Sequence, residues 1–198
     1  MRMASLTLHL RPVTLGLAFA LLCSGAQADN VTSIDGNAFG FAQGNLQLNL
    51  AAGDGNEQAN AASLAVGRNA NATTSIRQVG SGVTGSVGQY TATIGGNAFG
   101  YASGLISVNE ASGANNLQAN SIAIGIGSGA EALSSNNLSQ VTGGGGQTPT
   151  GTSSNDHVAI GGNAFAHANG LVQINQTAGT GNASANRFAL ELNLGGKP

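Results

Sequence analysis

Residues 34–66 read IDGNAFGFAQGNLQLNLAAGDGNEQANAASLAV, and the same frame returns without a gap at 94–126 and at 160–192, shifts of 60 and then 66. Its most literal part is GNAFG at 36–40, GNAFG again at 96–100 and GNAFA at 162–166. None of these residue types does chemistry, so the repetition itself carries the information. A self-match of this length marks a repeat architecture.

Within each copy the apolar residues alternate: Leu46 and Leu48, Ile106 and Val108, Val172 and Ile174, with Gln, Ser or Asn between. A period of two means strand. A second alternating run follows in each copy: Leu64 and Val66; Ile122, Ile124 and Ile126; Phe188, Leu190 and Leu192. Between the two runs lies a turn holding Gly53, Gly113 or Gly179. Each copy therefore reads as strand, bend, strand, while its Gly and Asn density and the lack of a 3.6-residue stripe argue against helix.

One such unit of 33 residues is too small to bury a useful core. Stacking the three in register, about 4.8 Å apart, would pair each backbone above and below and align like side chains in columns. The expected fold is all-β: three stacked imperfect repeats forming a β-solenoid or β-arch layer stack of amyloid type. The expected self-assembly ladders are Asn37, Asn97 and Asn163; Phe39, Phe99 and Phe165; Asn49, Asn109 and Asn175; Asn56, Asn116 and Asn182; and Asn60, Asn120 and Asn186. Glycines at 36/96/162 and 44/104/170 would let the backbone bend where a side chain would clash.

Charge placement agrees with such columns, because like charges one strand spacing apart would repel. Asp35 aligns with Gly95 and Gly161, Asp54 with Ala114 and Thr180, Glu57 with Leu117 and Ala183. Glu110 aligns with Leu50 and Gln176, Arg187 with Ala61 and Ser121, and Glu191 with Ala65 and Gly125. No column carries two charges.

At the N-terminus Arg2 and Arg11 precede the apolar run Val13–Leu22 and then Ala26-Gln27-Ala28. This is the pattern of a secretory signal peptide over residues 1–28, cut between Ala28 and Asp29, and the run is shorter than the roughly 20 residues a membrane span needs. Cys23, the sole cysteine, leaves with it. The exported chain of 170 residues then keeps Arg68, Arg77, Arg187 and Lys197 against eight acids, a net charge of −4. Such a chain has no basic face for nucleic acid. Charged residues make up 7% of the sequence and apolar ones 41%, against about 25% charged in an ordinary domain. That balance suits a chain that packs against copies of itself.

Around the repeats at 34–66, 94–126 and 160–192 lie a short N-terminal segment at 29–33, connections at 67–93 and 127–159, and a tail at 193–198. The second connection contains TGGGGQTPTG at 142–151 and is Gly-rich and poor in side chains that could form columns. The connections begin alike, SIRQV at 75–79 and NLSQV at 137–141. The ordered layer is therefore expected to extend past each unit, with loops in the later halves.

The units NLQLNLAAGDGNEQAN (45–60), LISVNEASGANNLQAN (105–120) and LVQINQTAGTGNASAN (171–186) resemble the repeats of the Fap functional-amyloid subunits of pseudomonads. The resemblance implies export through an outer-membrane secretion pore and polymerisation, with self and related subunits, into extracellular fibres that strengthen biofilm. The major subunit of that family carries a C-terminal Cys-x-x-Cys, whereas this chain ends LNLGGKP, which favours the minor, nucleating kind. A rival resemblance lies in SLAVGRNANA (63–72) and SIAIGIGSGAEA (121–132), similar to the β-roll heads of trimeric autotransporter adhesins. It explains the period of 60 less well and lacks a C-terminal set of lipid-facing strands.

Chemistry finds little support. GIGSGA at 125–130 satisfies G-x-G-x-x-A but has no helix after it and no acid about 20 residues on. GGGG at 143–146 lacks the Lys-Ser/Thr of a phosphate loop. His157 and His167 have no second ligand type at metal spacing, and His167 falls in the column of Phe41 and Tyr101 as a planar stacking residue. Asp54 offers one carboxylate, too few oxygens for calcium. The serines have no His–acid partner. No enzyme activity, cofactor, metal or small-molecule substrate is expected.

Overall fold

In the computed structural model the described residues are 29–81, 88–141 and 156–195; the predicted leader and the GGGG segment lie outside them. Among the described residues every regular element is a strand: β1 (Asn30–Ile34), β2 (Gln43–Ala52), β3 (Glu57–Val66), β4 (Asn71–Ser81), β5 (Tyr90–Ile94), β6 (Ser103–Ala114), β7 (Leu117–Gly127), β8 (Glu131–Val141), β9 (His157–Ile160), β10 (Asn169–Thr180) and β11 (Ala183–Asn193).

The strands form four sheets. Sheet 1 is β1-β5-β9, sheet 2 is β2-β6-β10, sheet 3 is β3-β7-β11 and sheet 4 is β4-β8. All pairings are parallel, and their registers are constant. Asn30 faces Tyr90, Gln43 faces Ser103, Glu57 faces Leu117 and Asn71 faces Glu131. In the next step Thr91 faces His157, Ser103 faces Asn169 and Leu117 faces Ala183. The chain thus passes through four sheets and returns to the first one layer higher. The first layer is β1–β4, the second β5–β8 and the third β9–β11.

The sheets pack in sequence order, 1 on 2, 2 on 3 and 3 on 4. Alternation along β2, β6 and β10 decides what each interface contains. One face sends Leu46, Leu48, Ile106, Val108, Val172 and Ile174 against Ile34, Ile94 and Phe99, which is the apolar core. The other face meets sheet 3 through asparagine and glutamine, and Asn109, Gln118 and Asn120 are fully buried there. Buried amides cost several kcal/mol if left unpaired, so this interface holds only because they are bonded.

Strands β4 and β8 lie in the stretches read from sequence as connections, and β1 lies largely in the short N-terminal segment. Their inward residues explain why the pattern is faint: Ala72, Thr74, Ile76 and Gln78 of β4 are buried, yet mostly small or polar. They face an equally small-sided surface on β7. A Cβ built on Gly125 would lie 2.5 Å from the Glu131 carbonyl oxygen, and one on Gly80 would lie 3.2 Å from Leu117. Sheets 3 and 4 come close at these two glycines, to the backbone of β8 at Gly125 and to the Leu117 side chain at Gly80.

Stacked turns set the strongest local constraint. Gly44, Gly104 and Gly170 have φ of +101°, +120° and +114°, and a Cβ on Gly104 would sit 2.1 Å from the Gly44 carbonyl oxygen. The GNAF turn is more unusual, because Phe39, Phe99 and Phe165, and also Phe41, Tyr101 and His167, lie at φ of 57–61°. Each such residue costs about 1 kcal/mol or more. The turns are held by ladders across layers, Asn97 N–H to the Gly36 carbonyl at 2.6 Å and Phe99 N–H to that of Ala38 at 2.8 Å.

Candidate functional site

The same-position side chains of the three layers stand in columns. Asn97 Nδ2 donates to Asn37 Oδ1 at 3.1 Å and Asn163 Nδ2 to Asn97 Oδ1 at 3.2 Å. Between sheets 2 and 3, Asn109 donates to Asn49 at 2.9 Å and Asn175 to Asn109 at 3.0 Å. Asn120 donates to Asn60, and Asn186 to Asn120, both at 3.0 Å. At the bend Asn116 donates to Asn56 at 3.0 Å and Asn182 to Asn116 at 2.9 Å.

Two of these columns are also bonded to each other, which the sequence reading did not foresee. Asn60, Asn120 and Asn186 reach Asn49, Asn109 and Asn175 Oδ1 at 2.8, 2.9 and 3.0 Å. They also donate across the arch to the carbonyls of Leu48, Val108 and Ile174 at 3.0, 3.0 and 2.9 Å. A further column was missed: Gln58 Nε2 donates to Gln118 Oε1 at 2.7 Å and Gln118 to the Glu110 carbonyl at 2.9 Å. The available signal was Gln at the matched positions 58 and 118. Each net bond is worth about 1 kcal/mol. Together they replace an apolar core with a network that only the correct register satisfies.

The rings stack likewise. Phe39 and Phe99 have centroids 5.2 Å apart, and Phe99 and Phe165 4.6 Å at an interplanar angle of 3°. A second, outward column joins Phe41 to Tyr101 at 5.2 Å and Tyr101 to His167 at 4.7 Å. Phe41 is 73% exposed. An open groove runs along the turns between this column and Asn37, Asn97 and Asn163.

Electrostatics single out Glu110, which the sequence placed in a column with Leu50 and Gln176 without indicating its burial. Its side chain is fully buried. Thr93 N–H donates to Oε1 at 3.1 Å and Gln176 Nε2 to Oε2 at 2.8 Å. Burial pushes the carboxyl up to about 7, against weaker lowering by bonds from Thr32, Gln176 and Thr93. Of the other ionisable candidates, Asp54 is exposed at its turn. Among the described residues no group of three or more His, Cys, Asp or Glu could hold a metal ion, and no helix is long and apolar enough to cross a membrane. The cleavage pair is split: Ala28 lies outside the described residues, and Asp29 accepts a bond from Gln89 N–H at 3.0 Å.

The arrangement presents two outer edges of stacked strands, β1 to β4 at one end and, at the other, β9, β10 and β11 with β8 as the edge of sheet 4. No solved structure matches it. A comparison with protein families matches residues 20–193 to functional amyloid proteins, structural subunits and not enzymes. By that match the chain belongs to the functional amyloid protein FapB/FapC family.

Proposed function

We propose that the chain is a secreted structural subunit, of the minor, nucleating FapB-like kind, in extracellular fibres that support biofilm. In this reading the three layers are the turns of a short β-solenoid. The Asn and Phe columns are its assembly ladders, and each chain adds to self or to related subunits after leaving through an outer-membrane pore. The observation that carries the proposal is a contrast within sheets 2 and 3: the middle strands β6 and β7 are almost wholly buried, while the strands beside them, β2, β3, β10 and β11, are mostly half-buried or exposed. Natural proteins protect such strand edges with charge, proline or a cap. In the described third layer β10 carries no charge, and β11 carries only Arg187 and Glu191.

Two measurements test it. Purified chain should form Thioflavin-positive fibres with a meridional spacing near ~4.8 Å; a soluble monomer or closed trimer at high concentration refutes self-assembly. Trace seeding addresses the nucleating role. A small fraction of this chain should shorten the lag of a major subunit, and an unchanged lag assigns it to the bulk of the fibre.

A further inference from the structure

The two ends of the stack are chemically different. In all four Asn columns Nδ2 of the later layer donates to Oδ1 of the earlier one. Backbone groups pin that direction in three of them. Asn109 and Asn175 Nδ2 also reach the Ala59 and Ala119 carbonyls at 3.0 Å, and a carbonyl can only accept. Asn60, Asn120 and Asn186 are tied to carbonyls in the same way. The Asn116 and Asn182 N–H groups donate at 3.0 Å to Asn56 and Asn116 Oδ1. The Gln58 to Gln118 step runs the other way, but its column ends at Ser184; Asn56, Asn116 and Asn60 Nδ2 also reach forward to the Gly113, Gly179 and Ser107 carbonyls at 2.9, 3.0 and 3.3 Å, while their Oδ1 atoms accept from the later layer.

The consequence shows at the edges. Asn109 Nδ2 reaches Asn49 Oδ1, the Ala59 carbonyl and Asn60 Oδ1, and Asn175 Nδ2 reaches the matching three acceptors one layer on. Asn49 Nδ2, in the first layer, donates to none of the described residues. The acceptors it lacks are present at the opposite end: the Ala185 carbonyl and Asn186 Oδ1 stand where Ala59 and Asn60 stand two layers earlier.

We infer that the third layer is a docking surface for the first layer of a second copy of this chain, joined head to tail. Asn49 Nδ2 of the incoming copy reaches the Ala185 carbonyl and Asn186 Oδ1 of the copy it joins. Asn37 lies over Asn163 and Asn56 over Asn182. This rests on the self-assembly proposed above and adds its direction. A tail-to-tail contact would turn one copy over, so that the columns of the two copies no longer continue one another and Asn Oδ1 acceptors face the junction from both sides. A head-to-tail contact is heterologous and leaves both ends open, so it builds a filament that grows with polarity.

Cysteine pairing tests the direction in the full chain with Cys23→Ser. Gln43 and Asn169 both pair with Ser103, from opposite sides. Within one chain they are two strand spacings apart, about 9–10 Å, too far for a disulfide. Across a head-to-tail junction they are neighbours. Fibres of the Gln43→Cys, Asn169→Cys double variant should oxidise to a ladder of covalent multimers well beyond the dimer, and either single variant should stay monomeric on a non-reducing gel. Disulfide dimers from a single variant, or double-variant fibres that give no multimers, overturn the inference. Ser63→Cys with Ala189→Cys, a matched pair in sheet 3, repeats the test should the first pair impair folding. Failure of the Cys23→Ser chain to form fibres overturns the self-assembly reading instead.

Discussion

Phe99 and Phe39 hold the same turn position one layer apart, with φ of 58° and 57°, yet Phe99 is fully buried and Phe39 is 36% exposed. Asn109 and Asn49 repeat the contrast, the first fully buried and the second at the surface. Almost identical local sequence therefore produces an interior at these second-layer positions and a more open setting at their first-layer counterparts. Burial in this molecule comes from the neighbouring layer, above and below, more than from the strand's own pattern. In the chain by itself β6 and β7 have a strand on either side, while β2, β3, β10 and β11 each have one on a single side.

The sharpest way to break this contrast is to place a charge in each layer. Asn109→Asp removes a donor that reaches three acceptors and leaves a buried carboxylate among oxygens, and should destabilise the chain by about 3–5 kcal/mol. Asn49→Asp should cost below about 1 kcal/mol in the monomer and yet block fibre growth. Urea unfolding midpoints at neutral pH read the first effect and sedimentation of fibres the second. Equal midpoints for the two variants would show that the layers do not differ. Next in size, Phe99→Ala should cost about 3–5 kcal/mol, and Phe39→Ala less than half of that, measured by the same unfolding curves.

Glu110 sharpens the contrast through pH. Burial lifts its carboxyl from the ordinary 4.5 to about 7 in the folded chain, so the folded state holds the proton more tightly than the unfolded state. Stability from this group is then greatest below about pH 4.5, declines as pH rises and levels off above about 7, roughly 3 kcal/mol lower. Among the described residues the strands packed around it carry no Lys or Arg. The elements packed around Glu110 bring only two other titratable groups, Tyr90 on β5 and His157 on β9. Glu110→Gln should flatten that part of the profile and raise the midpoint at pH 8, while an unchanged slope would mean the carboxyl is hydrated. The smallest effect is expected at Val66, 71% exposed in the first layer. Val66→Thr should change monomer stability by no more than about 0.5 kcal/mol, as thermal unfolding will show, and slow fibre elongation measurably.

Much of the layered fold was legible because strand alternation and column chemistry are written locally. Leu46 and Leu48 predict a strand with one apolar face, and the aligned positions 49/109/175 pair as matched residues in sheet 2. Sheet 4 was less legible. Thr74, Gln78 and Ala132 on β4 and β8 give no apolar stripe, and they form strands because β7 offers small side chains for the backbone to approach. The direction of the amide columns was also absent from the sequence, since an asparagine can present either end of its amide until a backbone carbonyl selects one.

By itself the sequence determined that like residues should align, at offsets of 60 and 66, because a period of two and unbroken self-similarity leave few other ways to bury so small a unit. Only the tertiary structure decided which faces become interior. Asn109 and Glu110 are adjacent in β6 and point to opposite sheets, one into an amide network and the other beside the apolar core. That assignment depends on what the fold packs against each face, and no stretch of chain carries the information about its partner.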